Sequence, residues 1–227
     1  MDIAANLREV QENIRLAQQR SIHAAEHVRL LAVSKTKPME MIQTAYAAGQ
    51  REFGENRVQE LVPKQAELPE AAWHLIGHLQ TNKVKYIIGK TKLIHSLDSI
   101  ALADEIEKRS AKAEVVTQCL VQVNIAEEES KSGLFVPELA DFLDAMADYP
   151  HLHIAGLMTI GPIVTDPEEI RPVFAELRTL FLRERERGLP HIEMQWLSMG
   201  MSHDYPVAVE EGANIVRVGS SIFGSRS

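Results

Sequence analysis

Eight short apolar runs, separated from one another by helical segments, predict an α/β protein: a single-domain (β/α)8 barrel of TIM type with an extra helix at its amino terminus. Strand and helix signals alternate along the whole chain, which favours a parallel sheet, and eight is the number of strands that closes into a filled barrel. Polar and glycine residues also collect beyond the carboxyl end of nearly every run: Lys35, Glu55-Asn56, Gly77-His78, Ser96 to Asp98, Asn124, Met158-Thr159, Ser198 to Ser202 and Arg217 to Ser220. Functional groups distributed around one end suit a barrel. A doubly wound open sheet, the competing layout, concentrates them at a single crevice.

The first segment, 1–20, carries Ile3, Leu7, Val10, Ile14 and Ala17 at spacings of three and four, an amphipathic helix expected to pack on the barrel. Strands are expected near 29–34, 51–54, 72–76, 92–96, 115–124, 152–157, 194–198 and 214–218. Helical stretches are expected near 39–49, 56–67, 79–88, 99–111, 136–148, 168–187 and 204–211. No linker, low-complexity segment or short repeat interrupts the alternation, so residues 1–227 read as one domain.

Composition narrows the function classes. With 45% hydrophobic and 25% charged residues, the 227-residue chain has the make-up of a soluble globular protein. A net charge of −8 argues against a general nucleic-acid partner, which needs a basic face, but leaves room for one small basic pocket. No apolar run approaches the roughly 20 residues of a membrane span, and the polar start, Met1 to Gln19, is no secretory signal. Cys119 is the single cysteine; it permits no internal disulfide and fits a reducing cytoplasm. Its apolar surroundings, Val115 to Val123, mark it as a packing residue. A lone barrel with a charged exterior is expected to be a monomer.

The strand Leu30-Leu31-Ala32-Val33-Ser34 runs into Lys35, at the end of the barrel where active sites sit. A lysine amine forms a Schiff base with an aldehyde once it loses its proton. Its ordinary pKa near ~10.4 prevents that in water, and a desolvating barrel mouth or a nearby cation lowers it. Lys37 is a weaker candidate on the same loop, and Lys131 is expected on the loop after the fifth strand, where it could contact a ligand without bonding covalently. Ser198-Met199-Gly200-Met201-Ser202 and Arg217-Val218-Gly219-Ser220-Ser221 follow the seventh and eighth strands, a frequent phosphate site in this fold. Glycine lets backbone N–H groups approach phosphate oxygens, serine hydroxyls add donors, and a helix opening after Ser202 would add its positive end. Arg217 should project from the last strand, next to the first strand and Lys35 once the ring closes.

Lysine, phosphate cradle and arginine together match a pyridoxal 5′-phosphate (PLP) site with arginine as partner of the pyridine nitrogen. An always-charged guanidinium disfavours a proton on that nitrogen and weakens the ring as an electron sink. Holding the aldehyde, or racemase-like proton exchange, then suits the site better than transamination. Other groups carry less. His74 and His78 lie in a strand entering a loop, not on a helix where four-residue spacing pairs metal ligands, and no HExxH run occurs. His151 and His153 flank a strand start, Glu127-Glu128-Glu129 reads as a solvated loop, and Arg183 to Arg187 as a solvated helix face.

Seven segments carry a family resemblance: Leu31-Ala32-Val33-Ser34-Lys35-Thr36-Lys37-Pro38, Phe53-Gly54-Glu55-Asn56, Trp73 to Lys83, Ser130-Lys131-Ser132-Gly133, Gly156-Leu157-Met158, Leu197 to Ser202 and Arg217 to Gly224. In this order and spacing they resemble the pyridoxal phosphate homeostasis proteins, the YggS/PROSC family, over essentially the whole chain. The resemblance implies a barrel similar to the amino-terminal domain of alanine racemases, with Lys35 carrying PLP as an internal aldimine. It also implies that Arg217 faces the pyridine nitrogen, that Ser202, Gly219 and Ser220 hold the phosphate, and that Asn56 lines the pocket. Members of the family look like carriers that keep PLP bound, with apo-PLP enzymes as recipients, and influence vitamin B6 balance without robust catalysis. Two positions depart from the pattern: His78 stands where many members have proline, and His203 follows the Ser198 to Ser202 run.

The leading expectation is therefore a cytoplasmic PLP-binding homeostasis protein. A PLP-dependent amino-acid racemase is the alternative. It needs a second acid or base opposite the lysine, which alanine racemases draw from an extra carboxyl-terminal domain. The chain ends at Ser227, so that domain is expected to be missing, and Tyr205 is the tyrosine to test in its place. A phosphosugar aldolase using the same lysine is a third possibility, distinguished by its lack of a yellow chromophore.

Overall fold

The computed structural model describes residues 2–128 and 131–224. Met1, Glu129, Ser130 and residues 225–227 lie outside them, so the acidic loop and the Ser130 to Gly133 motif are described only in part. The eight expected strands are present: β1 (Arg29–Val33), β2 (Glu52–Glu55), β3 (Ala72–Leu75), β4 (Leu93–Leu97), β5 (Thr117–Gln122), β6 (Leu152–Met158), β7 (Ile192–Ser198) and β8 (Ile215–Val218). Each pairs in parallel with its sequence neighbour, and β8 pairs with β1 to close the ring. The closing register sets Leu31 opposite Arg217 and Ala32 opposite Val218. Lys35 and Arg217, near opposite ends of the sequence, thus emerge on adjacent strands.

Outside the ring lie α1 (Ile3–Arg20), α2 (Met39–Ala47), α3 (Val58–Glu67), α4 (Ile100–Ala113), α5 (Leu139–Met146), α6 (Arg171–Arg185), α7 (Tyr205–Glu210) and α8 (Ser220–Phe223). The Asp2 side chain caps α1 by accepting from the Ala5 N–H at 2.9 Å, satisfying one of the donors a helix start leaves open. The buried stripe of α1 is Ile3, Leu7, Val10, Ile14 and Ala17, as the spacing predicts. It packs on α7 and α8, where Asn6 Nδ2 donates to the Ile222 carbonyl at 2.9 Å and Asn13 Nδ2 to Tyr205 Oη at 3.1 Å. The segment expected to be helical near 79–88 forms only a 3₁₀ helix, Thr81–Tyr86. Its β-branched Val84, Ile87 and Ile88 and the following Gly89 are poor helix formers. The four-residue α8 was not expected, since one turn is too short to show a helical period. Among the described residues, no helix is long and apolar enough to cross a membrane.

Side-chain alternation divides the buried residues into two sets. Outward positions such as Ala32, Phe53, Trp73, Leu75, Ile94, Val216 and Val218 meet the helices and form the large core. Leu31, Val33, Leu93, Leu120, Ala155 and Ile215 fill the barrel itself. Cys119 is fully buried, and burial pushes its thiol pKa up, as suits a packing residue. Strand β6 pairs with β7 through Gly156 opposite Trp196; its φ is 146° and a Cβ there would lie 1.8 Å from the Trp196 carbonyl oxygen, so only glycine fits.

Candidate functional site

Strand ends β1, β2, β3, β6, β7 and β8 contribute to a cavity of about 410 Å³, inside the roughly 300–1,000 Å³ range of small-molecule sites. All six residues singled out from the sequence, Lys35, Asn56, Ser202, Arg217, Gly219 and Ser220, line it. Lys35, Lys37 and Arg217 supply cationic groups and, among the described residues, no carboxylate joins the lining, so a chain of net charge −8 carries a basic pocket suited to an anion. Ile76, Ile160 and Val33 give the pocket apolar walls.

Lys35 sits two residues past β1 in a turn clamped on both sides. The Ser34 N–H donates to the Gly54 carbonyl at 3.0 Å, and Ser34 Oγ donates to Glu55 Oε1 at 2.6 Å. From α3, Lys64 Nζ donates to the Ser34 carbonyl at 2.9 Å and to Glu55 Oε1 at 2.8 Å. The Thr36 N–H donates to Glu60 Oε2 at 2.7 Å. Thr36 has φ of 63°, a left-handed conformation that a β-branched residue adopts only when its neighbours enforce it. Burial raises the Glu55 carboxyl pKa, with Lys64 and Ser34 opposing. Lys37 reaches across the mouth to the Gly224 carbonyl at 3.2 Å, joining the first loop to the end of α8.

The two carboxyl-terminal turns meet. Ser202 Oγ accepts from the Gly219 N–H at 3.1 Å, so the loops after β7 and β8 form one wall. The first turn is shaped by Asp204, whose Oδ1 accepts from the Met201 N–H at 2.6 Å. Gly200 allows that turn with φ of 89°, and a Cβ there would fall 2.5 Å from the Ala208 Cβ. The helix expected directly after Ser202 begins only at Tyr205, because Asp204 closes the turn first. Burial raises the Asp204 pKa, with the Met201 N–H and Arg217 opposing.

Arg217 is buried with its guanidinium against the barrel wall. Nη1 donates to Ser198 Oγ at 2.6 Å and Nη2 to the Thr159 carbonyl at 2.8 Å. Burial lowers its pKa to about 10, with Asp204 opposing, which leaves it protonated at neutral pH. Asn56 Oδ1 is buried at the pocket and has no hydrogen-bond partner among the described residues, an acceptor available to a ligand donor.

Other residues fall elsewhere. Lys131 pairs with Glu128 at 2.6 Å on its own loop and does not line the cavity. Tyr205 is buried and its hydroxyl accepts from Asn13 on α1, so it too stays outside the lining. His203 lies on the rim, with Nε2 at 3.1 Å from the Thr165 carbonyl oxygen, and His78 is 3.8 Å from Asp98 in a neighbouring groove. Among the described residues, no group of three or more His, Cys, Asp or Glu is placed to hold a metal ion. Sequence reasoning passed over one feature: His74 and His95 are both buried inside the barrel, hydrogen-bonded to each other and onward to Ser198. For His74 a signal existed, since it interrupts the apolar strand β3 at an inward position.

Comparison with known proteins bears on the family and the fold. Residues 5–227 match the family described as alanine racemase, N-terminal domain. The pyridoxal phosphate homeostasis protein of Aquifex aeolicus is 45% identical over 231 residues, spanning 100% of this chain and 99% of that protein. Its namesake from Escherichia coli is 37% identical over 230 residues, spanning 99% and 97%. PipY of Synechococcus elongatus, solved with PLP bound, superposes with a TM-score of 0.85 at 37% identity, covering 98% of this chain and 100% of that one. Alanine racemase from Corynebacterium glutamicum, at 17% identity, TM-score 0.74 and coverage of 99% of this chain and 61% of that one, shares the fold alone. The chain therefore belongs to the alanine racemase N-terminal domain family, among its pyridoxal phosphate homeostasis proteins.

Proposed function

We propose that this protein binds PLP in the cavity at the carboxyl end of the barrel and serves intracellular PLP homeostasis. The observation that carries the reading is the convergence of Lys35, Arg217 and the joined Ser202–Gly219 turns around one basic cavity. The names of the curated relatives and the PLP-bound PipY structure support it. When bound, the cofactor supplies an aldehyde that a deprotonated lysine amine captures reversibly as a Schiff base.

In this reading Lys35 is the covalent residue, and its clamped turn points the amine into the cavity. Ser202, Gly219 and Ser220 take the phosphate with hydroxyl and backbone donors, and Asn56 lines the same pocket. Arg217 faces the pyridine nitrogen. A guanidinium offers donors only, so it holds that nitrogen unprotonated and leaves the ring a weak electron sink. Such a site stores the aldehyde better than it drives carbanion chemistry. A racemase needs a second acid or base across the cavity, and the sequence's candidate, Tyr205, is turned onto α1. The protein acts in the cytoplasm as a monomer and releases PLP to apo-enzymes, which reversible capture permits.

The test is spectroscopic. Purified protein, alone or after addition of PLP, should show a visible band that borohydride bleaches, and Lys35→Ala should lose the trapped adduct. Absence of the band in the wild-type protein overturns the reading, and trapping on Lys37 or Lys131 corrects the residue.

A further inference from the structure

A file of polar side chains crosses the barrel interior, from the cavity to the opposite, amino-terminal face. Arg217 Nη1 donates to Ser198 Oγ at 2.6 Å, and Ser198 Oγ lies 3.0 Å from His95 Nδ1. His95 Nε2 lies 3.0 Å from His74 Nδ1, and His74 Nε2 faces Glu52 Oε2 at 3.7 Å. Arg217, Ser198, His95 and His74 are all at most 4% exposed. Among the described residues neither His74 Nε2 nor Glu52 Oε2 has a hydrogen-bond partner, and the two buried atoms face each other. The second oxygen of Glu52 accepts from Arg29 at 2.8 Å and from Lys92 at 3.1 Å, which anchors the file at the barrel floor.

The first link dictates the direction of every other. A guanidinium can only donate, so Ser198 Oγ accepts and its own hydrogen is directed to His95 Nδ1. His95 then carries its proton on Nε2 and donates to His74 Nδ1. That places the His74 proton on Nε2, toward the Glu52 carboxylate. The reverse order would strand the serine hydrogen in the core and set a bare imidazole nitrogen against a carboxylate, each a costly buried mismatch.

We propose that His95 and His74, acting through Ser198, are positioning residues for Arg217: they fix Ser198 Oγ as its acceptor and so hold the guanidinium against the wall, facing bound PLP. Burial supports this by keeping both imidazoles neutral, with the His74 pKa lowered to about 4 and that of His95 well below its ordinary value. Neutral rings are required, because a cationic His95 would have no lone pair to receive the serine hydrogen. The positioning role rests on the PLP reading above; the order of donors does not.

Two measurements test the two parts. In ¹⁵N-labelled protein without PLP, both histidines should show a bare Nδ1 and a protonated Nε2 from pH 8 to 6. A protonated Nδ1 on either ring overturns the relay. In PLP-loaded protein, Ser198→Ala should speed PLP release about ten-fold or more, the scale of one hydrogen bond to a charged donor, and shift the visible band. Ser198→Thr, which keeps the hydroxyl, should restore slow release. Release from Ser198→Ala at the wild-type rate, with an unshifted band, overturns the positioning role. Wild-type protein that takes up no PLP defeats the functional reading and the positioning role together, while the nitrogen spectra still judge the relay.

Discussion

Residues His74 and His95, buried without charge, tie the stability of the barrel to pH. Burial lowers the His74 pKa to about 4, with Glu52 opposing and Lys92 and Arg29 reinforcing. His95 moves the same way through burial, His74 and Arg217. Below pH ~6.5 the unfolded chain takes up protons that the folded chain refuses, so stability is complete above that value and falls as the pH drops toward 4. For His74 the full loss is about 3 kcal/mol at the acid end. Glu55, Asp98 and Asp204, whose pKa values burial raises, work in the opposite direction near the acid end. Urea midpoints measured from pH 7.5 to 5 should therefore decline, and His74→Gln should flatten the decline. An unchanged slope in that variant would place its origin elsewhere. Lys35 and Arg217 were legible in the sequence because each is a cation ending an apolar strand. His95 was not, because all five residues of β4 are buried and such a strand shows no in–out contrast.

Helix α3 does more for the site than cover the sheet. Its Lys64 reaches beneath the β1 loop to hold the Ser34 carbonyl and Glu55, and its Glu60 receives the Thr36 N–H. The left-handed Thr36 persists because these bonds over-determine it. Lys64→Met should cost about 3–5 kcal/mol in urea unfolding, since it leaves the Glu55 carboxylate buried and unpaired. A Glu55→Gln/Lys64→Met double variant should recover much of that loss. If the single and double variants are equally destabilised, the pair is not coupled. The sequence did not reveal this clamp, because Lys64 reads as an ordinary solvated position of an amphipathic helix. Only the docking of α3 against β2 buries it.

For the whole molecule, ring closure is the act that makes the site. The first loop, with Lys35 and Lys37, is joined to the last turn through Gly224, and α1 secures α7 and α8 from outside. A ligand that bridges Lys35 and the carboxyl-terminal turns therefore holds the first and last strands together. PLP at about 100 times its Kd should add roughly 2.7 kcal/mol to stability, or about 5–10 °C in Tm for a chain of this size. Lys35→Ala should lose most of that gain in thermal unfolding with and without PLP. A wild-type Tm indifferent to PLP would count against binding at this cavity.

The amino-acid sequence by itself determined the eight alternating units, the amphipathic opening helix and the chemistry at the strand ends, because these are local patterns of period and residue type. The tertiary structure alone decided which of those ends meet and what stands behind them. His95 and Ser198 are 103 residues apart yet hydrogen-bonded, and no local periodicity encodes such a contact. It arises from the stagger and closure of the parallel ring, which aligns inward positions of distant strands at one level of the barrel.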